Sequence, residues 1–310
     1  MSEILSAMYH SAEHMDDFLR SLNYWSYYET SLPRWLAAAA QESGFRAGDR
    51  VRLLDVGCGS GELTLIVCTA LAKTFDMRLS VVEPSATLLH RSKDLLSKTM
   101  SPEVFVSATQ RTFQDLCPRT DAHDLILCSH SLYEPLEEAP SAGFSSAAEA
   151  VARKLLDMLT PGGAFCVILA SKNSWAYEAK RSAYELLGLP ADAFSYAERL
   201  TAALEETGAS LEVRTVDTYA DTTMFSCASA DDRQRSIRWL SFFLRVNCTL
   251  LDPHIQDGLI TIIRKSSLPF RCLPEPDREL CASHPAICGG PQENSLLLFH
   301  KELAVVGVKN

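Results

Sequence analysis

The chain has 310 residues, of which 47% are hydrophobic and 22% charged, an ordinary balance for a protein with a packed core. Its formal net charge of −10 argues against a nucleic acid or an anionic membrane surface as a partner. No apolar run reaches the ~18 residues of a membrane span, and the first residues lack the pattern of a signal peptide. We therefore expect a cytoplasmic protein without a membrane partner.

The first 45 residues predict two helices. Apolar residues recur at helical spacing from Ala12 to Leu22 and from Leu32 to Ala39, with Pro33 near the start of the second helix. Between them lies an aromatic cluster followed by an acid, with the sequence Tyr24-Trp25-Ser26-Tyr27-Tyr28-Glu29. Aromatic rings can wall a small-molecule pocket or pack against a sheet, and both interpretations stay open. The first interpretation predicts that residues 1–45 form a lid.

Three glycines at alternate positions follow an apolar run of strand length. The run from Leu53 to Val56 predicts a buried strand, Gly57, Gly59 and Gly61 predict a tight turn, and apolar residues after Glu62 predict a helix. The free N–H groups at the start of that helix then face a ligand at the turn. The spacing G-x-G-x-G differs from the dinucleotide fingerprint, and no Lys-Ser/Thr pair follows as in a P-loop.

The next predicted strand, Leu79 to Val82, ends in Glu83. An acid at this place can accept hydrogen bonds from both hydroxyls of a ribose. A glycine turn followed by such an acid predicts a cofactor of the adenosine type, and the presence of Glu83 disfavours a turn that only links strand to helix. The Leu-Asp-Val-Gly lead-in and the glycine spacing resemble those of methyltransferases that use S-adenosyl-L-methionine (SAM).

The rest of the chain continues the alternation of strands and helices, with further strands predicted at 104–106, 124–128, 164–169, 211–216 and 303–308. A helix at 147–159 ends in a stop signal, Thr160-Pro161-Gly162-Gly163, and 173–209 reads as helices. Such alternation implies right-handed crossovers and a parallel sheet with ligands at the carboxyl ends of its strands. Those ends are 57–61, 83–85, 109–113 and 129–133.

Several stretches resemble histamine N-methyltransferase and its relatives: Val82-Glu83-Pro84-Ser85-Ala86, Asn23, Asp124-Leu125-Ile126, the Leu132-Tyr133 pair and 171–175. The resemblance implies a seven-stranded, Rossmann-like α/β sheet of the class I SAM-dependent methyltransferase type. We assign this core to 46–227 and 296–310, with a helical N-terminal segment at 1–45. A helical insertion at 228–295, whose apolar run 237–244 must pack on something, is expected on the substrate side.

The glycine turn and the resemblance together give the expected SAM contacts. They are Gly57, Gly59, Gly61, Glu83, Ser85, Thr112, Phe113 and Ser129. Leu88 departs from the family, which has a polar glutamine at that place.

The substrate half departs more from the family. The family's N-terminal glutamate falls on Tyr27 in this chain, and Glu29 lies two residues further on. The family's glutamine after the fourth strand falls on His130. Its asparagine before the last strand falls on Lys301 or on the neighbouring His300. The resemblance thus implies a monomeric SAM-dependent N-methyltransferase for a small amine, imidazole-type or otherwise related to histamine. The expected substrate-binding residues are Tyr27, Glu29, His130, Tyr133 and Lys301.

The acceptor decides how much base catalysis is needed. An imidazole is largely neutral at pH 7, whereas deprotonating an alkyl amine costs about 4 kcal/mol. The candidate catalytic bases are Glu29 and His130. Lys301 would favour an acceptor with an anionic group, unless Lys301 points to solvent. A SAM-binding fold that serves as a regulatory protein, or a methyltransferase for a thiol or hydroxyl, remains an alternative.

The sequence predicts no metal site. Cys272, Cys281 and Cys288 lie with His284 in a Pro/Gly-rich segment, but their spacings fit no common zinc pattern. Reduced thiols are the expectation for a cytoplasmic protein.

Overall fold

The computed structural model describes residues 12–118, 120, 122–137, 146–190, 196–226, 229–283 and 291–309. The strands in these ranges are β1 Arg50–Val56, β2 Asp76–Val82, β3 Phe105–Thr109, β4 His123–Ser129, β5 Leu159–Ala170, β6 Ser210–Asp221, β7 Leu268–Pro269 and β8 Leu296–Val308. The helices are α1 Ala12–Ser21, α2 Tyr24–Glu42, α3 Glu62–Leu71, α4 Ala86–Thr99, α5 Tyr133–Glu137, α6 Ala147–Asp157, α7 Trp175–Leu186, α8 Ala197–Glu206, α9 Ala230–Leu244, α10 Pro253–Ser266 and α11 Glu275–Ser283.

The strands form one sheet with the order β3-β2-β1-β4-β5-β8-β6, and the two-residue β7 pairs with β8. Strands β1 to β5 pair in parallel, whereas β8 runs antiparallel to β5. The strand order reverses between β1 and β4, which is the point where open α/β sheets bind their ligands. This order confirms the predicted seven-stranded Rossmann-like sheet, to which β7 is a short addition.

The chain divides into two compact units. The larger contains Tyr28–Ser171, Phe194–Val216 and Glu302–Asn310, and the smaller contains the described residues of Met1–Tyr27, Lys172–Ala193 and Asp217–Lys301. The core of the larger unit lies on the central strands, where Leu54, Ile126 and Phe165 are 0–2% exposed. Strands covered on both faces carry near-continuous apolar runs, and residues 125–128 of β4 are such a run.

The smaller unit is mostly helical, and Trp239 of α9 lies at its centre. Trp239 is fully buried, its ring centroid is 5.2 Å from that of Phe18 and 5.3 Å from that of Phe225, and its indole N–H donates to Ser21 Oγ at 2.9 Å. The apolar run 237–244 therefore packs inside this unit.

Two local expectations from the sequence were wrong. The aromatic cluster does not separate two helices but forms the first turns of α2, which continues through Pro33 to Glu42. The stop signal at 160–163 lies inside β5, where His123 pairs with Leu159 and Leu125 with Ala164. These four residues form a bulge in β5. The prediction failed because glycine and proline mark an irregular backbone without showing whether a helix ends there or a strand bulges.

None of the described helices is both long enough and apolar enough to cross a membrane.

Candidate cofactor and acceptor site

The glycine turn after β1 depends on glycine for its conformation and for its packing. Gly57, Gly59 and Gly61 have φ angles of 72°, 57° and 91°, in the left-handed region that other residues rarely adopt. A Cβ added at Gly57 would lie 2.3 Å from Ser131 Cβ, and one at Gly61 would lie 3.1 Å from Ser92 Cα. The turn therefore presents bare backbone between the segment after β4 and helix α4.

Glu83 lies at the carboxyl end of β2, opposite the glycine turn, and is 6% exposed. Its Oε2 accepts a hydrogen bond from the Gly59 N–H at 3.0 Å, and its Oε1 accepts one from the Ser85 N–H at 2.9 Å. A carboxylate oxygen can accept more than one hydrogen bond, so this group is chemically suited to a donor such as a ribose hydroxyl. Ser85 also caps α4, because its Oγ accepts from the Leu88 N–H at 3.4 Å.

Asp55, the acid of the Leu-Asp-Val-Gly lead-in, is buried beside this site. Its pKa is raised to about 7, mainly by burial, against the lowering effect of a hydrogen bond from Thr64 and with a smaller raising effect from the charge of Glu83. The motif alone assigns no role to Asp55, although an acid inside an apolar strand is itself a signal of a special environment. A carboxyl group with this pKa changes its charge near neutral pH.

The turn after β3 is closed by its own residues. Asp115 Oδ2 accepts hydrogen bonds from the Thr112 N–H at 2.9 Å and from its hydroxyl at 2.8 Å, and these bonds hold the pKa of Asp115 below its usual value. Phe113 is 5% exposed and belongs to the core of the larger unit. Gln110 donates from Nε2 to the Pro84 oxygen at 3.1 Å, which ties this turn to the end of β2.

The segment after β4 begins with Ser129, which is half-buried, and His130. His130 has a φ of 55°, which costs roughly 1–3 kcal/mol in a residue with a side chain and is found mainly where a function requires it. Its Nδ1 lies 2.9 Å from Tyr133 Oη, and its Nε2 lies 3.3 Å from Glu302 Oε1. The Tyr133 oxygen also accepts a hydrogen bond from the Ala170 N–H at 2.7 Å.

Glu302 on β8 was not predicted from the sequence. It is 2% exposed and accepts a hydrogen bond from the hydroxyl of Tyr28, which is fully buried on α2. The only sequence signal was an acid within the apolar run of the last strand. Tyr28, Glu302, His130 and Tyr133 thus form one connected set of side chains within the larger unit, which we call the buried relay.

The other candidate substrate residues are Tyr27 and Glu29 on α2 and Lys301 on β8. Tyr27 is half-buried and Glu29 is exposed on α2, next to the inward-facing Tyr28. Lys301 Nζ is 3.6 Å from Asp217 Oδ1, and its side chain is 40% exposed. Successive side chains of a strand point to opposite faces, so Lys301 and Glu302 face opposite sides of β8. The structure brings His130 and Tyr133 into contact, whereas the Glu29 side chain is exposed.

Among the residues that the structure describes, no group of three or more His, Cys, Asp and Glu side chains is arranged to hold a metal ion. Cys272 is exposed and Cys281 is buried. His284 and Cys288, the other members of the segment considered for zinc, lie outside the described residues.

Comparisons with known proteins bear on the fold. No protein-family model and no curated protein sequence matches the chain. The structure is similar to that of the YcgJ protein from Bacillus subtilis, at 15% identity and a TM-score of 0.50, over 89% of this chain and 98% of the other.

Two lower-scoring neighbours are methyltransferases by name. Magnesium protoporphyrin IX methyltransferase from Synechocystis, solved with S-adenosyl-L-homocysteine (SAH), has a TM-score of 0.45 at 17% identity over 62% and 76% of the two chains. The N-methyltransferase NodS from Bradyrhizobium japonicum has a TM-score of 0.41 at 19% sequence identity, over 61% of this chain and 86% of the other. At these identities similarity concerns the fold alone, and the strand order is that of the Rossmann-like sheet predicted from the sequence.

Proposed function

We propose that the protein is a SAM-dependent methyltransferase that transfers a methyl group to a small amine. One observation carries this proposal. Glu83 is held by the amides of Gly59 and Ser85 beside three glycines with left-handed φ angles, at the point where the strand order reverses. A fixed carboxylate facing bare backbone suits the ribose and chain of an adenosine-type cofactor.

The chain's residues have separate roles in this proposal. Gly57, Gly59 and Gly61 let the cofactor approach the backbone, and Glu83 orients the ribose. Ser85, Thr112, Phe113 and Ser129 remain the further proposed contacts. SAM supplies a methyl group on a sulfonium, which is already electrophilic, so the protein mainly has to position an uncharged nucleophile in line with it.

The acceptor is proposed to be a small amine related to histamine, as the resemblance to histamine N-methyltransferases implies. His130 and Tyr133, at the carboxyl end of β4, support an acceptor site next to the glycine turn, because Ser131 packs directly against Gly57. Tyr27, Glu29 and Lys301 stay proposed substrate-binding residues. His130, one of the two candidate bases, lies 3.3 Å from Glu302 in the buried relay, and this contact supports a role for it in the proposed reaction.

Cofactor binding is the first test. Calorimetry should detect binding of both SAM and SAH by the wild type, and Glu83→Gln should weaken it by roughly 1–3 kcal/mol, the effect of leaving a buried hydroxyl without its charged acceptor. Glu103→Gln, at an exposed carboxylate before β3, is the matched control and should bind as the wild type does. A wild type that binds neither compound would overturn the proposal.

Methyl transfer is the second test. Imidazoles, aliphatic amines and thiols should be screened with SAM carrying a labelled methyl group. Transfer to an amine is expected. Tight SAM binding without transfer to any acceptor would instead support the alternative of a regulatory SAM-binding protein, and transfer to thiols alone would change the acceptor class.

A further inference from the structure

We propose that Tyr133 is the catalytic base of the reaction, activated by His130 and Glu302, and that the acceptor is an aliphatic amine protonated at neutral pH. This inference rests on the proposed function and identifies its substrate class. It goes beyond the sequence-based expectation, in which Glu29 or His130 was the base and an imidazole needed none.

The hydrogen-bond roles in the buried relay follow from its chemistry. A carboxylate can only accept, so Glu302 receives the Tyr28 hydroxyl on one oxygen, and its other oxygen lies 3.3 Å from His130 Nε2. A carboxylate at this distance favours the tautomer with the proton on Nε2. A neutral imidazole with its proton on Nε2 has its lone pair on Nδ1. That lone pair, 2.9 Å from Tyr133 Oη, accepts the phenol proton.

Tyr133 and Glu302 therefore lie on opposite sides of the His130 ring, next to Nδ1 and Nε2 respectively. Its oxygen accepts the Ala170 N–H at 2.7 Å while its proton points at His130. If that proton moves to Nδ1, the Ala170 amide stabilises the phenolate, and the carboxylate of Glu302 stabilises the imidazolium. Both new charges thus have a partner already in place.

The burial of Glu302 strengthens its electrostatic interaction with the His130 ring. The Glu302 side chain is 3% exposed, whereas that of His130 is 27% exposed. A buried carboxylate interacts more strongly with a nearby cation than one in water does. Titratable groups in contact with His130 include Tyr133 of α5 and Glu302 of β8, and Tyr28 of α2 lies on the far side of Glu302.

The proton transfers balance as follows. The acceptor's ammonium gives one proton to Tyr133 Oη as the phenol proton passes to His130 Nδ1. The nitrogen lone pair that is freed forms the bond to the methyl carbon, and the electron pair of the broken carbon–sulfur bond stays on the sulfur of the cofactor. His130 then loses its extra proton to solvent, so one proton is released for each methyl group transferred.

This chemistry selects the acceptor. An alkyl amine with a pKa near ~10 has only about one molecule in a thousand neutral at pH 7, whereas an imidazole with a pKa near ~6.5 is mostly neutral. Methyl transfer to the alkyl amine therefore needs a base, whereas transfer to the imidazole gains little from one. A base supported by a buried carboxylate is therefore expected where the acceptor arrives as an ammonium ion.

The activity test compares two acceptor types. Tyr133→Phe keeps the ring and removes the base, so kcat/KM for a primary aliphatic amine should fall roughly 10²–10⁴-fold. For an imidazole it should change less than about tenfold. Two control variants lie outside the relay: Tyr196→Phe at a half-buried tyrosine and Glu134→Gln at an exposed carboxylate. Neither variant should change kcat/KM for the aliphatic amine or for the imidazole.

A second test needs neither cofactor nor turnover. Nitrogen-15 NMR of the ring of His130 in the free protein should show a single neutral tautomer with the proton on Nε2. Both Glu302→Gln and Tyr133→Phe should give a mixture of tautomers, since each removes one of the two partners that fix it. Thermal unfolding shows whether the variants are folded.

The outcomes separate this inference from the proposed function. A wild type that binds no SAM overturns the proposed function and the catalytic role of Tyr133 with it. If SAM binds, equal losses for amines and imidazoles in Tyr133→Phe, or a proton on Nδ1 in the wild type, overturn the relay alone. A loss confined to aliphatic amines, together with the Nε2 tautomer, supports it.

Discussion

At the scale of single residues, Asp55 shows how one buried acid ties stability to pH. Burial raises its pKa from 3.8 in the unfolded chain to about 7 in the folded protein. Between these values the folded state binds more protons at this group than the unfolded state does. The stabilising contribution of the protonated carboxyl is therefore complete below pH 3.8 and is lost as the pH rises through about 7.

We predict that Asp55→Asn removes this dependence. From pH 5 to pH 7 the free energy of unfolding of the wild type should fall relative to that of the variant, by about 1.4 kcal/mol per pH unit at most. Denaturant unfolding of both proteins at several pH values, without added cofactor, measures the difference. Parallel curves for the two proteins over this range would show that Asp55 is ionised in the folded state.

At the scale of secondary-structure elements, β8 is the strand on which both the fold and the buried relay depend. It lies between β5 and β6 and runs antiparallel to β5, with Phe165 opposite Gly307 and Ala170 opposite Glu302. The pairing places Glu302 at the same end of the sheet as the carboxyl end of β4, where His130 lies. The lack of a side chain at Gly307 makes room for the Phe165 ring.

We predict that Gly307→Ala destabilises the protein by about 1–3 kcal/mol, the usual effect of overfilling a packed core. The added Cβ would lie 2.4 Å from Phe165 Cζ and 2.8 Å from Leu211 Cδ2. Denaturant unfolding measures the change. The double variant with Phe165→Leu should recover part of the loss, because the smaller side chain makes room, and strictly additive effects would contradict this packing.

At the scale of the whole molecule, the described cysteines divide by burial. Burial raises the pKa of Cys68, Cys166, Cys248 and Cys281 to about 12 and that of Cys128 well above its ordinary value. Cys117 and Cys272 are exposed. Because the thiolate is the reactive form, the buried thiols should be inert until the chain unfolds.

We predict that a thiol reagent such as DTNB modifies Cys117 and Cys272 rapidly in the native protein. The variant with both residues replaced by serine should lose two equivalents from the fast phase while the slow phase, which follows unfolding, stays unchanged. In denaturant the wild type should give ten thiols. A fast phase of the same size in both proteins would contradict the assigned exposure.

Most of the fold and the local geometry of the proposed cofactor site could be predicted because they depend on residues close together in the chain. The apolar run, Gly57, Gly59 and Gly61, and the helix after them form one local unit, and Glu83 ends the next strand. Period and spacing report such units directly. The same local patterns failed at 160–163, where glycine and proline signalled an irregularity but not that it was a bulge in a strand.

The acceptor half was decided by the tertiary structure. The sequence pointed to Tyr27, Glu29, His130, Tyr133 and Lys301, but it could not show that β8 pairs with β5 and carries Glu302 to His130. Nor could it show that α2 turns Tyr28 rather than Glu29 inward. Strand pairing and helix rotation are set by packing between distant segments, and a shift of one residue along a strand exchanges its two faces. The chain alone thus determined the glycine turn and the acid proposed to bind the ribose, whereas the contact partner of His130 depended on which strand lies beside β5.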